Sequence, residues 1–294
     1  MGLESQGQLK MSDGFGLVYR KWVHANGIDV VVLGLHGIGG HLGNFAAMGE
    51  ALPAVLPGAE IIATDRRGFG NSVEEGRQRG DVSSFKRYLQ DDEESCEQIR
   101  SAYPGKKFYI FGKSLGCIHA LRFAAFHPES INGLILAAPP IKPKVGVPPA
   151  LIVRVLFDLV FSPSTIIDAG RYQPKEFRDS DERKRIVEDS LTTLNYSARY
   201  LYGVSRFIRS GLSNAALVHA PTLILQGDTD STVDPIGARQ LLDTLVSKDK
   251  TLRTFAGADH GFYDSIPPRQ NSKYDDSTRK QVYVSITDWL RAHQ

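Results

Sequence analysis

A serine hydroxyl attacks a carbonyl only when a base takes its proton and a third group orients that base. One serine of this sequence has a setting built for that chemistry. Ser114 stands in Gly112-Lys113-Ser114-Leu115-Gly116, after the apolar run Lys107–Phe111 and ahead of a helical pattern. Strand, turn and helix in this order are the context of a G-x-S-x-G nucleophile elbow. The sharp turn strains the serine backbone and lifts its hydroxyl above the carboxyl end of a sheet, while the glycines leave room. A helix opening at Leu115 adds free N–H groups and the positive end of its dipole.

The base must come from eight histidines. His24 and His293 lie near the chain ends, His127 precedes Pro128 at a helix end, and His119 falls inside the helix after the elbow. His260 differs, because Gly257-Ala258-Asp259-His260-Gly261-Phe262 follows the strand-like Thr251–Phe255. The chain order Ser, then Asp or Glu, then His places the acid between the two. After Thr222–Gln226 comes Gly227–Asp234, which holds three carboxylates. Asp230 is preferred, on a G-x-x-D turn ahead of a Val. Asp228 is the main rival, and Asp234 is better placed to cap the helix that begins at Pro235. The acid is expected to orient the imidazole and stabilise its protonated form without taking the proton. An unperturbed imidazole would make activity rise with pH near ~6.5.

A tetrahedral intermediate also needs oxyanion donors. The Leu115 N–H, just past the nucleophile, is one candidate. The other is the Ile38 N–H in His36-Gly37-Ile38-Gly39-Gly40, whose glycines let backbone approach a ligand closely. No G-x-G-x-x-G opens a helix there, so a dinucleotide site is not indicated.

These residues need a frame. Short apolar runs at Val30–Leu35, Ile61–Thr64, Phe108–Phe111, Leu134–Ala137 and Thr222–Leu225 predict strands buried on both faces. Helical patterns cover Phe85–Ala102, Leu115–Phe126 and Pro235–Val246, and Gly14–Trp22 predicts an antiparallel edge strand. Alternating strands and helices imply an α/β fold with a mostly parallel sheet. The pattern breaks between Pro139 and Ala220. That stretch holds the apolar Ala150–Phe161, a charged stretch Arg171–Asp189 and an aromatic Tyr196–Ile208, and predicts a helical insertion over the sheet. Arg154 and Asp158 are four residues apart and share a helical face. The expected division is therefore 1–138 and 220–294 for the core and 139–219 for a cap.

Composition bounds the rest. The chain has 294 residues, 41% hydrophobic and 23% charged, with a net charge of +2. Such a balance gives no field that points to nucleic acid. Cys96 and Cys117 form no metal-binding spacing, and no metal or cofactor is expected. Two cysteines suit a reducing compartment, and the polar N-terminus lacks a secretory core. No apolar run reaches the ~18 residues of a membrane span. A cytoplasmic location is expected, with peripheral membrane contact left open.

The motifs together resemble the monoacylglycerol lipase and lysophospholipase branch of the α/β hydrolases, grouped with serine aminopeptidase-like enzymes. DGFGLVYRKW resembles that family's opening strands, HGIGGH its oxyanion motif, DRRGFGNS its D-x-R-G-x-G-x-S loop and GKSLG its elbow. QGDTDSTVD resembles its acid loop and GADHGF its histidine loop. The sequence departs from the family where Gly40 replaces a common Glu, Lys113 a common His and Cys117 a common Gly. The resemblance implies an α/β-hydrolase fold with a helical cap after strand 6, and a Ser114–Asp230–His260 triad. It implies cleavage of a small, lipid-like carboxylic ester through an acyl-enzyme, with membrane-surface contact through the cap. Peptidase, thioesterase or acyltransferase chemistry would use the same triad, and a non-catalytic binding protein would share the fold. Lys113 is expected to face solvent, with contact to a charged substrate group as the alternative. The apolar cap helix is expected either to line an acyl tunnel or to be buried in a core.

Overall fold

A computed structural model describes residues 3–23, 27–144, 146–172, 187–262 and 276–294. In chain order its strands are β1 (Leu3–Lys10), β2 (Gly16–Val23), β3 (Val30–Leu35), β4 (Ala59–Thr64), β5 (Lys107–Lys113), β6 (Gly133–Ala137), β7 (Ile166–Asp168), β8 (Asn195–Ser197), β9 (Thr222–Gly227) and β10 (Lys250–Phe255). Eight of them form one sheet in the order β1-β2-β4-β3-β5-β6-β9-β10. β2 runs antiparallel to β1 and β4, and the other pairs are parallel.

Continuous apolar runs can form such strands only if both faces are covered. All of β3, β4, β6 and β9 is buried, as is β5 beyond Lys107. Side chains alternate between the faces. Val31, Leu33 and Leu35 join one core with Tyr88, Cys96 and Ile99 of helix α2 (Phe85–Ala102) and Ile118 and Leu121 of helix α3 (Leu115–Phe126). Val30 and Val32 join the other. There they meet Met48 and Leu52 of helix α1 (Ala46–Val55) and Val282, Ile286 and Leu290 of the helix over Asp276–Ala292.

Between β6 and β9 the chain leaves the sheet. It forms helix α4 (Pro149–Phe161), the antiparallel pair β7–β8, helix α5 (Ala198–Arg209) and a short helix over Gly211–Ala215. The small β7–β8 pair corrects the expectation of a purely helical insertion. Tyr196 lies in β8, and α5 starts at Ala198, where the Ser197 hydroxyl caps it by accepting the Tyr200 N–H at 3.2 Å. Most of the charged stretch Arg171–Asp189, residues 173–186, lies outside the described residues.

On α4, Arg154 pairs with Asp158, as their spacing implied. Leu151 and Val155 pack on Ile167 and Ala198. Val153, Phe157, Val160 and Phe161 are instead 68%, 59%, 74% and 72% exposed. The helix is thus not buried all round, which corrects the core-helix alternative. No helix among the described residues is long and apolar enough to cross a membrane.

Candidate active site

The turn from β5 into α3 holds Ser114 at φ 48°, ψ −117°. A positive φ is a strained conformation for a residue with a side chain. The turn tightens because Gly116 packs against β3: a Cβ there would stand 2.0 Å from the Leu35 carbonyl. Only glycine fits, which is the spacing requirement seen in the sequence. The Ser114 N–H is held by the Ala137 carbonyl at 2.8 Å.

β9 and β10 deliver the other two side chains. His260 Nε2 lies 3.1 Å from Ser114 Oγ, and its Nδ1 lies 2.9 Å from Asp230 Oδ2. Asp230 is fully buried. Its Oδ1 accepts the Thr232 and Val233 N–H groups at 2.8 and 2.9 Å, and Gln226 Nε2 donates to Oδ2 at 3.1 Å. Burial alone would raise the Asp230 carboxyl, but His260 and the two amides outweigh it and hold it below the usual carboxylate range. The structure thus brings Ser114, His260 and Asp230 into one hydrogen-bonded line. The rival Asp228 accepts the Gly257 N–H at 2.7 Å, tying the acid loop to the histidine loop. Asp234 accepts the Ile236 N–H and pairs with Lys142 at 2.7 Å.

The two oxyanion candidates lie at the start of α3 and in the loop that follows β3. Leu115 opens α3, where first-turn N–H groups lack intrahelical acceptors. Gly37 adjoins the nucleophile so closely that a Cβ on it would stand 3.3 Å from Ser114 Cβ. Ile38 follows in the same turn, its side chain 40% exposed. His36 beneath is fully buried, with Nδ1 at 2.8 Å from the Gly37 carbonyl and Nε2 accepting the Arg66 N–H at 3.1 Å. Burial, aided by Arg66, pushes its imidazole well down and keeps it neutral. The Asp65–Ser72 loop is tied on every side. Asp65 accepts the Leu42 and Asn71 N–H groups, and Ser72 Oγ accepts that of Val18.

Above the line of three opens a cavity of about 870 Å³, a size typical of small-molecule sites. Ser114 and His260 form its floor, and Leu151, Val155, Leu201 and Ile208 from α4 and α5 line its wall. Among the described lining residues none is acidic. Lys113 also lines the cavity and is only 9% exposed, which corrects the expectation that it faces solvent. It is the last residue of β5. Sequence reasoning passed over His41, whose Nε2 lies 2.7 Å from Asp189 Oδ2 in the inserted segment.

Comparison with known proteins agrees with this architecture. Residues 27–264 match the family described as Serine aminopeptidase, S33. The chain is 25% identical to the monoglyceride lipase of Homo sapiens over 268 residues, covering 90% of this chain and 86% of the relative. It is 24% identical to the monoacylglycerol lipase of Mycolicibacterium smegmatis over 287 residues, covering 95% and 94%. The crystal structure of Paleococcus ferrophilus monoacylglycerol lipase superposes with a TM-score of 0.75 at 25% identity, covering 95% of this chain and 99% of that one. With an eight-stranded sheet, a strained serine elbow and a family match across most of its length, this chain belongs to the serine aminopeptidase S33 family of α/β-hydrolase enzymes.

Proposed function

We propose that the chain is a serine hydrolase that cleaves carboxylic esters of apolar acyl chains, acting on a small lipid-like substrate. The single observation that carries this reading is the line Asp230–His260–Ser114, at 2.9 and 3.1 Å, opening into an apolar-walled cavity. His260 Nε2 takes the Ser114 proton as Oγ bonds to the ester carbonyl carbon. The Ile38 and Leu115 N–H groups bind the oxyanion. The carbon–oxygen bond to the leaving alcohol breaks as His260 returns the proton to it. Water, deprotonated by the same imidazole, then releases the acid and restores Ser114. Asp230 stays ionised and orients the ring.

The relatives' names support an ester substrate. The wall of Leu151, Val155, Leu201 and Ile208 supports an acyl tunnel, where each buried methylene contributes roughly 0.8 kcal/mol. Cleavage of amides, as by an aminopeptidase, is the alternative that the family description favours. The lack of a carboxylate among the described lining residues argues against it, because a free substrate ammonium would need one. The complete triad argues against a purely binding role. In this reading residues 139–219 are the cap over a core of 1–138 and 220–294. The exposed apolar face of α4 is the contact with lipid surfaces. The two buried free cysteines suit a cytoplasmic setting. A panel of monoacylglycerols, p-nitrophenyl esters of increasing chain length and aminoacyl amides tests the reading. Esters are expected to be cleaved, with kcat/KM rising over the first few methylenes; preference for the amides would overturn it.

A further inference from the structure

The inserted segment does more than cover the cavity. A strap from Asp189 to Ser197 runs along the loop that carries Ile38 and is bonded to it at two points. At the first, His41 Nδ1 accepts the Gly43 N–H at 3.1 Å, so the ring hydrogen sits on Nε2 and is donated to Asp189 Oδ2 at 2.7 Å. Asp189 is fixed in turn by the Leu191 N–H and the Thr192 hydroxyl, each at 2.9 Å. At the second, the Thr193 N–H donates to the Gly39 carbonyl at 3.0 Å. Gly39 has φ 69°, and a Cβ on it would stand 2.1 Å from the Thr193 carbonyl oxygen, so the two backbones are in direct contact. Ile38 therefore sits between Gly37, which adjoins Ser114, and Gly39, which the strap holds.

The strap is itself anchored to the core. Arg79 Nη1 donates to the Ser190 carbonyl at 2.9 Å, and the Ser197 N–H donates to the Gly80 carbonyl at 2.9 Å. The far end of the loop is held by Asp65, which accepts the Leu42 N–H at 2.7 Å. Among the described residues, the side-chain tie to the strap between Gly37 and Leu42 is the His41–Asp189 pair. We infer that His41 and Asp189 are positioning residues for the oxyanion donor at Ile38, so that this edge of the cap is part of the catalytic frame. The inference rests on the hydrolase reading above. Oxyanion donors act through geometry, and a displacement of about 1 Å at a positioning group costs on the order of 10²-fold in rate.

The test uses the full chain with His41→Ala, Asp189→Ala, Asp189→Asn and the double His41→Ala/Asp189→Ala variant. Turnover of a short p-nitrophenyl ester is measured alongside binding of an aryl trifluoromethyl ketone, whose adduct places an oxyanion in the same hole. Each alanine variant is expected to lose ~10- to 100-fold in kcat and to weaken the ketone by a similar factor, with KM within about 3-fold. Asp189→Asn keeps one carbonyl acceptor, which can serve either His41 or the Leu191 N–H but not both, and is expected to recover only part of the loss. The double variant is expected to be no worse than either single one, as for two halves of one contact. A rise in KM alone, with kcat and ketone affinity intact, would overturn the inference and leave the pair as a tether of the cap. Hydrogen exchange of the segment 37–43 provides a readout independent of turnover. It is expected to speed up in Asp189→Ala, and unchanged exchange would overturn the inference. Faster exchange in a protein whose unmutated form cleaves no ester would refute the hydrolase reading while supporting the tie itself.

Discussion

Replacing Asp230 by Asn removes one charge and redirects one proton. Asp230 Oδ1 accepts two backbone N–H groups, from Thr232 and Val233. An asparagine would keep its carbonyl oxygen there and turn its NH₂ toward His260 Nδ1 and Gln226 Nε2. His260 would then have to accept at Nδ1, which puts its hydrogen on Nε2, facing Ser114 Oγ at 3.1 Å. A ring in that tautomer cannot take the serine proton. The expected loss is ~10⁴-fold in kcat, about 5 kcal/mol of barrier. Asp228→Asn is the control. Its side-chain bond to the Gly257 N–H survives with a neutral acceptor, so the change is expected to stay under ~1 kcal/mol, within about 5-fold. Steady-state hydrolysis of p-nitrophenyl butyrate by both variants decides the matter, with thermal unfolding to establish that each is folded. A folded Asp230→Asn enzyme with near-normal turnover, or a larger loss in Asp228→Asn, would refute the assignment of the acid.

Two other predictions concern the cap and the core. Phe157→Ser with Val160→Ser is expected to weaken binding to phospholipid vesicles at least ~10-fold, since burying side chains of this size contributes about 1.5–3 kcal/mol each. Hydrolysis of a soluble short ester is expected to stay within about 2-fold, and unchanged vesicle co-sedimentation would move the contact to another face. Burial lowers the His119 imidazole to about 4 despite Asp92 beside it. The unfolded chain takes up a proton near ~6.5 that the native state refuses, so stability is full above that pH and falls between ~6.5 and 4. Denaturant titrations at pH 7, 5.5 and 4.5 are expected to record a decline of up to about 3 kcal/mol from this group. Flat stability across that range would contradict the buried neutral imidazole.

The legible parts of the fold were those where one physical constraint dominates a long run of residues. Phe85–Ala102 and Leu115–Phe126 form helices over those bounds, the first burying Tyr88, Cys96 and Ile99 on one face and the second buried along most of its length. The doubly covered strands were equally plain, since Val30–Leu35 must be shielded on both sides. β1 was not legible. Its sequence LESQGQLK has no alternation, and backbone pairing with β2 holds it at the sheet edge with largely exposed side chains. The three-residue strands β7 and β8 are too short to carry a period. The burial of Lys113 is not legible, because its neighbours in sequence say nothing of the cavity it lines. Ser114, Asp230 and His260 can be singled out in the sequence because each follows a recognisable strand. His41 and Asp189 lie 148 residues apart in the chain, and no spacing rule joins such a pair.

Labelling with a fluorophosphonate, followed by peptide mass spectrometry, tests the chemistry most directly. A single adduct on Ser114 is expected in the folded wild-type chain, with the labelling rate falling at least ~10³-fold in His260→Ala. A folded chain that takes up no probe, or one labelled at the same rate without the imidazole, would contradict an activated serine at the end of β5.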